Sequence, residues 1–146
     1  MSDARLVPIS ASVVFGRMVP VSLLRVPAGF PSPAGDDLEE AVDPMEWMIR
    51  SPSSTFWWRV DGFSLERMGI MDGDMVAIDR AGKRRPGRIV LALVDGGWTL
   101  KVLIKRDGRL YLEPRSDNPD YRSILVSEDV EIWGVLAGVA RRCPVE

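Results

Sequence analysis

From Thr55 onward, apolar residues gather into short runs of strand length: 55–60 (TFWWRV), 75–80 (MVAIDR), 87–94 (GRIVLALV), 98–105 (WTLKVLIK), 109–113 (RLYLE), 122–126 (RSILV) and 130–140 (VEIWGVLAGVA). Turn formers separate several of them, at Asp72-Gly73-Asp74, Asp95-Gly96-Gly97 and Asp107-Gly108. Asp-Gly pairs supply the positive φ angles that tight hairpin turns require. The last two therefore predict successive hairpins, with Lys101 on the middle strand of a meander. One helix precedes the strands. Asp43, Pro44 and Glu46 read as N-cap, first-turn proline and capping-box acid. They open a helix over about 44–50 that buries Met45, Met48 and Ile49 on one side. The whole pattern predicts a mostly β fold: a compact, strongly curved or barrel-like antiparallel domain over 44–146 with one short helix.

Ahead of residue 44 the periodicity dissolves. Residues 1–28 read as an N-terminal arm carrying Arg5, Arg17 and Arg25 against Asp3 alone. Residues 29–43 read as an extended linker, because Pro27, Pro31, Pro33 and Pro44 hold the residues before them out of the helical region. Within it Asp36, Asp37, Glu39 and Glu40 form an acidic patch, read as a solvated lead into the fold. The arm is apolar enough to suggest a targeting peptide. Arg17 and Arg25 interrupt the run, however, and Pro8 and Pro20 break a spanning helix. No stretch of about 18 uncharged apolar residues exists, so no membrane anchor is expected.

Alternation sorts the strand that carries Lys101. Trp98, Leu100, Val102 and Ile104 share one face, expected to be the main core; Thr99, Lys101, Leu103 and Lys105 share the other. Taken alone, this pattern reads as an exposed-face lysine, since lysine is almost never buried unpaired. Leu103 beside it allows a second face that is not fully wet, the floor of a cleft, but the strand pattern by itself favours exposure. Trp57 and Trp58 are consecutive on one strand and cannot face the same core. Either one meets an interface or a second core exists.

Composition narrows the function classes. The chain has 146 residues, 46% hydrophobic and 27% charged, with net charge −2. These values suit one globular domain and argue against a dominant nucleic-acid surface, which would be basic. A single cysteine, Cys143, cannot form an internal disulfide and points to a reducing, cytoplasmic setting. There is no histidine. With no Cys/His cluster a zinc site is not expected, and no cofactor is.

The lack of histidine also excludes a Ser-His-Asp triad and leaves lysine as the base that can activate a serine. Ser64 lies in a turn-like stretch, VDGFSLERMGIMDGD, and Lys101 lies on its strand. A lysine that accepts a proton near neutral pH must be held neutral, about 4 kcal/mol away from its ordinary preference. Burial in an apolar pocket supplies that. Upstream, Ala28–Gly29 is a small, exposed-looking peptide bond that lets a backbone approach closely. Each feature alone is weak: serines are common near turns, and Ser51, Ser53 and Ser54 look much like Ser64.

Together they carry a resemblance. GFPSPAGD after the small residue, GFSLERMGIMDGDMVAID around Ser64 and WTLKVL around Lys101 closely resemble the LexA/UmuD family of self-cleaving serine–lysine peptidases. The similarity runs from about Val26 to Arg141, with the intervals between the motifs in register. It implies that Ser64 is the nucleophile, Lys101 the general base and Ala28–Gly29 the bond cut. The Ser64 backbone N–H is the candidate oxyanion donor. The family usually has Gly-Asp-Ser-Met around its nucleophile; this chain has Gly62-Phe63-Ser64-Leu65.

Only 28 residues precede the cut, too few for the helix-turn-helix domain of a LexA-type repressor. Direct sequence-specific DNA binding is therefore not expected, and the UmuD-like branch remains. That branch implies a homodimer, activation by a RecA–single-stranded DNA filament in the SOS response, and service to a UmuC-like translesion polymerase once trimmed. Two other readings stay open: a catalytically silent polymerase-binding module, and a soluble serine–lysine peptidase acting in trans.

Overall fold

In the computed structural model, residues 18–22, 26, 28–31 and 39–146 are described. Expectations that rest on residues 1–17, Arg25, Pro27, Pro33, Asp36 and Asp37 lie outside these residues. Two strands, β1 (Val19–Ser22) and β2 (Glu39–Val42), pair antiparallel with Val19 opposite Val42. The linker therefore contributes a strand that its composition conceals, and Pro20 sits in a ladder with only two strands. Proline is tolerated there because such strands have an edge that needs no donor.

The expected helix is shorter than its sequence pattern: α1 spans Pro44–Met48. Asp43 caps it, its carboxylate accepting from the N–H groups of Met45 at 2.9 Å and Glu46 at 3.4 Å. Ile49 already has extended backbone and is buried against Ala77, with Met45, Met48 and Trp57 packed around the pair.

Seven strands form the main sheet: β3 (Thr55–Arg59), β4 (Met75–Asp79), β5 (Ile89–Val94), β6 (Gly97–Arg106), β7 (Arg109–Glu113), β8 (Ile124–Leu125) and β9 (Val130–Ala140). Their spatial order is β3-β4-β9-β5-β6-β7-β8, all antiparallel. The sheet is open among the described residues, with β3 and β8 at its edges. Its ladder is irregular at two places. β9 slips register against β5 and again against β4, and an extra residue in one strand bends and twists a ladder.

The two expected hairpins are present. Asp95 and Gly96 have φ of 48° and 79°, and Asp107 and Gly108 have 52° and 77°. Paired positive angles match the right-handed twist of the strands they join. β5, β6 and β7 thus form the meander, with Lys101 in its middle strand.

Both faces of that strand are packed. Leu65, Ile70, Val76, Ile78, Leu91 and Val102 form one core, with Trp58, Leu100 and Ile104 against it. Val90, Ala92, Leu103, Leu112 and Val135 form another. Two expectations change accordingly. Lys101 is not an exposed-face lysine: it is only 6% exposed. Trp98, assigned to the main core, is about half exposed, because it stands at the rim of the cleft described below. The consecutive tryptophans are explained by separate cores, Trp57 packing with Ile49 and Ala77 and Trp58 with the Leu65–Val102 group.

Candidate active site

Ser64 is carried by an excursion between β3 and β4. Its ends are tied together: Val60 N–H donates to Asp74 O and Gly73 N–H to Val60 O, both at 2.8 Å. Gly62 turns the chain with φ of 100°, and its N–H donates to the Asp72 carboxylate at 2.8 Å. A single turn of 3-10 helix at Glu66–Met68 follows and stops at Gly69, whose left-handed backbone bonds back to Glu66 O. Leu65 and Ile70 anchor the loop by inserting into the core. The unusual residues beside Ser64 fit this arrangement: Leu65 is buried where the family's methionine stands, and Phe63 faces solvent.

A second segment, residues 114–121 after β7, holds the loop from outside. Arg115 N–H donates to Ser64 O at 2.7 Å, and Arg67 N–H donates to Arg115 O at 2.9 Å. Glu66 accepts from the Ser116 hydroxyl and the Asp117 N–H. Phe63 N–H donates to the Tyr121 hydroxyl at 3.1 Å. Nothing in the sequence signals this contact, because turn residues such as Asn118-Pro119 mark a loop without naming what it touches.

Ser64 and Lys101 come together at β6. β5 pairs with Gly97–Val102 of this strand, whereas β7 pairs only with Val102–Arg106. Beside the stretch that β7 leaves uncovered, the Leu100 carbonyl accepts from Ser64 Oγ at 3.1 Å and from Lys101 Nζ at 3.4 Å. Lys101 Nζ also donates to Thr99 Oγ1, its neighbour two residues back on the same strand face. No ion pair to Lys101 is present among the described residues. A buried ammonium with only neutral acceptors is poorly compensated, and burial pushes the Lys101 amine below the usual lysine range.

These groups line a cavity of about 330 Å³ whose walls are largely apolar: Trp58, Leu65, Ile70, Val76, Leu91, Trp98 and Leu100. Trp58 and Trp98 stack in a tilted pair with centroids 5.1 Å apart. A larger groove, about 840 Å³, lies between α1 and the end of β9. It is lined by Arg50, Asp79, Lys83, Arg85 and Arg88 and contains no hydroxyl or thiol side chain to act as a serine- or cysteine-type nucleophile. The smaller cavity is the one equipped for acyl transfer.

Ala28 and Gly29 lie in the connection between β1 and β2, exposed and bent, with the neighbouring Phe30 93% exposed. None of the three lines the cavity. The structure thus brings Ser64 and Lys101 together and leaves the Ala28–Gly29 bond in solvent. Thr99, the Leu100 carbonyl and Tyr121 complete the site; sequence reasoning placed Thr99 on the lysine face but singled out none of the three as a functional residue. No helix among the described residues is long and apolar enough to cross a membrane.

Known proteins share much of this sequence. A family model described as Peptidase S24-like matches residues 20–137. The chain is 42% identical to Protein ImpA of Escherichia coli over 118 residues, 81% of this chain and 80% of that protein. It is 37% identical to Protein MucA of Escherichia coli over 118 residues, 81% of each. It is 35% identical to the LexA repressor of Clostridium novyi over 131 residues, 89% of this chain and 64% of the repressor.

Proposed function

The chain belongs to the Peptidase S24-like family, and we propose that within it this protein is a self-cleaving serine peptidase using Ser64 and Lys101 on its own Ala28–Gly29 bond. The observation that carries this reading is the convergence of Ser64 Oγ and the buried Lys101 Nζ on the Leu100 carbonyl, inside an apolar cleft.

The chemistry follows from that geometry. With the Ser64 hydroxyl donating to Leu100 O rather than to Nζ, the pair is at rest. Loss of the ammonium proton gives Nζ a lone pair, and the Ser64 hydroxyl can turn from Leu100 O to donate to it. Burial brings this step within reach of ordinary pH. Ser64 Oγ then bonds the Ala28 carbonyl carbon while its proton passes to Nζ. The oxyanion is met by the Ser64 backbone N–H, the donor closest to the new bond. Collapse breaks the Ala28–Gly29 C–N bond, and Nζ returns the proton to the Gly29 nitrogen. Water hydrolyses the Ala28 ester and frees the serine.

The exposed position of Ala28–Gly29 implies that docking precedes chemistry. Val26 and Phe30 flank the bond as exposed apolar side chains, suited to the apolar cavity. Because catalyst and substrate share one chain, docking replaces a bimolecular encounter and its entropic barrier. It is also a natural point of control.

The wider role rests on the family resemblance and on similarity to ImpA and MucA. The protein acts in the cytoplasm as a homodimer in the SOS DNA-damage response, where a RecA–single-stranded DNA filament favours the docked state. The product, residues 29–146, serves as accessory subunit of an error-prone, UmuC-like translesion polymerase.

Incubating the purified chain from pH 7 to 10.5, beside Ser64→Ala and Lys101→Ala, tests the core of this. Mass spectrometry is expected to show loss of residues 1–28 from the wild type alone, faster as pH rises. Intact wild type at every pH leaves a polymerase-binding module, and equal cutting of the variants removes the dyad. Cutting of an unrelated peptide points to a peptidase acting in trans.

A further inference from the structure

Tyr121 touches both halves of the site. Its hydroxyl accepts the Phe63 N–H at 3.1 Å, one peptide before the nucleophile. Its ring centroid stands 6.0 Å from Lys101 Nζ, and the side chain lines the cavity beside Ser64. It is itself fixed by the turn in which its N–H donates to Asn118 O. A Cβ on Gly62 would stand 3.4 Å from the Tyr121 hydroxyl, so the loop approaches the ring closely.

We propose that Tyr121 is a positioning residue with two separable actions: its hydroxyl sets the peptide that orients Ser64, and its ring walls water away from Lys101. This rests on the reading of Ser64 and Lys101 as the catalytic pair. The two effects of the ring on the amine oppose each other. An aromatic face attracts an ammonium, but 6.0 Å is the outer limit of that attraction. Exclusion of water disfavours the ammonium more strongly, so the wall favours the neutral base. The charged groups that face the cavity are Arg59, at the end of β3, and Asp61, in the serine loop. On β5, Val90 stands opposite Lys101 and carries no charge. On β7, Glu113 is engaged by Arg106 and Arg115.

The two actions separate by substitution. In a Ser64→Ala background, NMR titration of the Lys101 Cε resonance reads the amine without any cleavage. Tyr121→Ala is expected to raise its midpoint by about one pH unit, and Tyr121→Phe to leave it in place. Should Tyr121→Ala not fold, Tyr121→Gln admits water with a side chain of similar reach and gives the same rise. With Ser64 present, Tyr121→Phe is expected to slow self-cleavage about three- to tenfold at every pH, the loss of one hydrogen bond. Tyr121→Ala moves the whole pH profile upward. An unmoved midpoint in folded Tyr121→Ala or Tyr121→Gln overturns the wall, and an unchanged rate in Tyr121→Phe overturns the hydroxyl's part. A raised midpoint in a protein whose wild type never cuts itself leaves the wall standing and overturns self-cleavage.

Discussion

Ser64 and Lys101 donate hydrogen bonds to the same main-chain oxygen, that of Leu100. The shared acceptor holds the hydroxyl and the amine side by side, with the hydroxyl proton directed at Leu100 O rather than at the amine. Activation then needs a neutral amine and one hydroxyl to turn. The energetic burden sits on Lys101, which is buried with no carboxylate partner among the described residues.

Lys101→Met should therefore abolish self-cleavage and stabilise the fold by about 1–3 kcal/mol at neutral pH, since it removes a desolvated charge. The pH dependence has a definite sign. A lysine with a depressed folded pKa leaves the unfolded state holding more protons between the folded and unfolded values, so wild-type stability rises with pH across that window. The advantage of Lys101→Met is largest below it and shrinks toward pH 10.5. Urea denaturation at a series of pH values checks this; a variant less stable than wild type at pH 7 contradicts it.

Thr99 aims the amine from two residues away on the same strand face. Thr99→Val keeps the shape and removes the acceptor. Self-cleavage is expected to fall about tenfold, the scale of one hydrogen bond to a charged group, with Thr99→Ser restoring most of it. Rates on the alkaline plateau separate loss of aim from a change in titration.

Phe30 lies just beyond the bond to be cut and is almost wholly exposed. If docking buries it in the cleft, Phe30→Ala should slow self-cleavage about tenfold, from the apolar burial lost. The melting temperature should not move, because the ring is almost wholly exposed in the undocked state. Equal rates would place the docking energy elsewhere, with Val26 next to be examined.

Asp74 ties the turn after the serine loop to the end of β9. It is 2% exposed, and its carboxylate accepts two bonds of 2.6 Å from Arg141 and one from Met71 N–H. Arg141 holds the Asp74 carboxyl below the usual carboxylate range. A depressed acid contributes stability that is complete above its unfolded pKa and is lost as pH falls through the folded value. Thermal melts should show wild type losing stability on acidification below about pH 4. Asp74→Asn should start lower at pH 7 and show a flatter acid dependence.

Much of this protein is determined locally and can be read along the chain. The Asp-Gly turns at 95–96 and 107–108 demand positive φ, which fixes the β5–β6–β7 meander and puts Lys101 in its middle. The absence of histidine restricts the base for Ser64, and the spacing of three motifs marks the family. Other features depend on what the folded chain places side by side. The β1–β2 pairing is hidden by Pro20 and by acidic residues, because a two-stranded ladder needs no continuous hydrophobic pattern. The burial of Lys101 exists only because both faces of β6 are covered, which alternation along one strand cannot reveal. The shared Leu100 carbonyl and the clasp of Tyr121 on Phe63 join segments far apart in sequence through main-chain atoms. Every residue carries those atoms, so no choice of side chain announces them; only the tertiary fold decides where they meet.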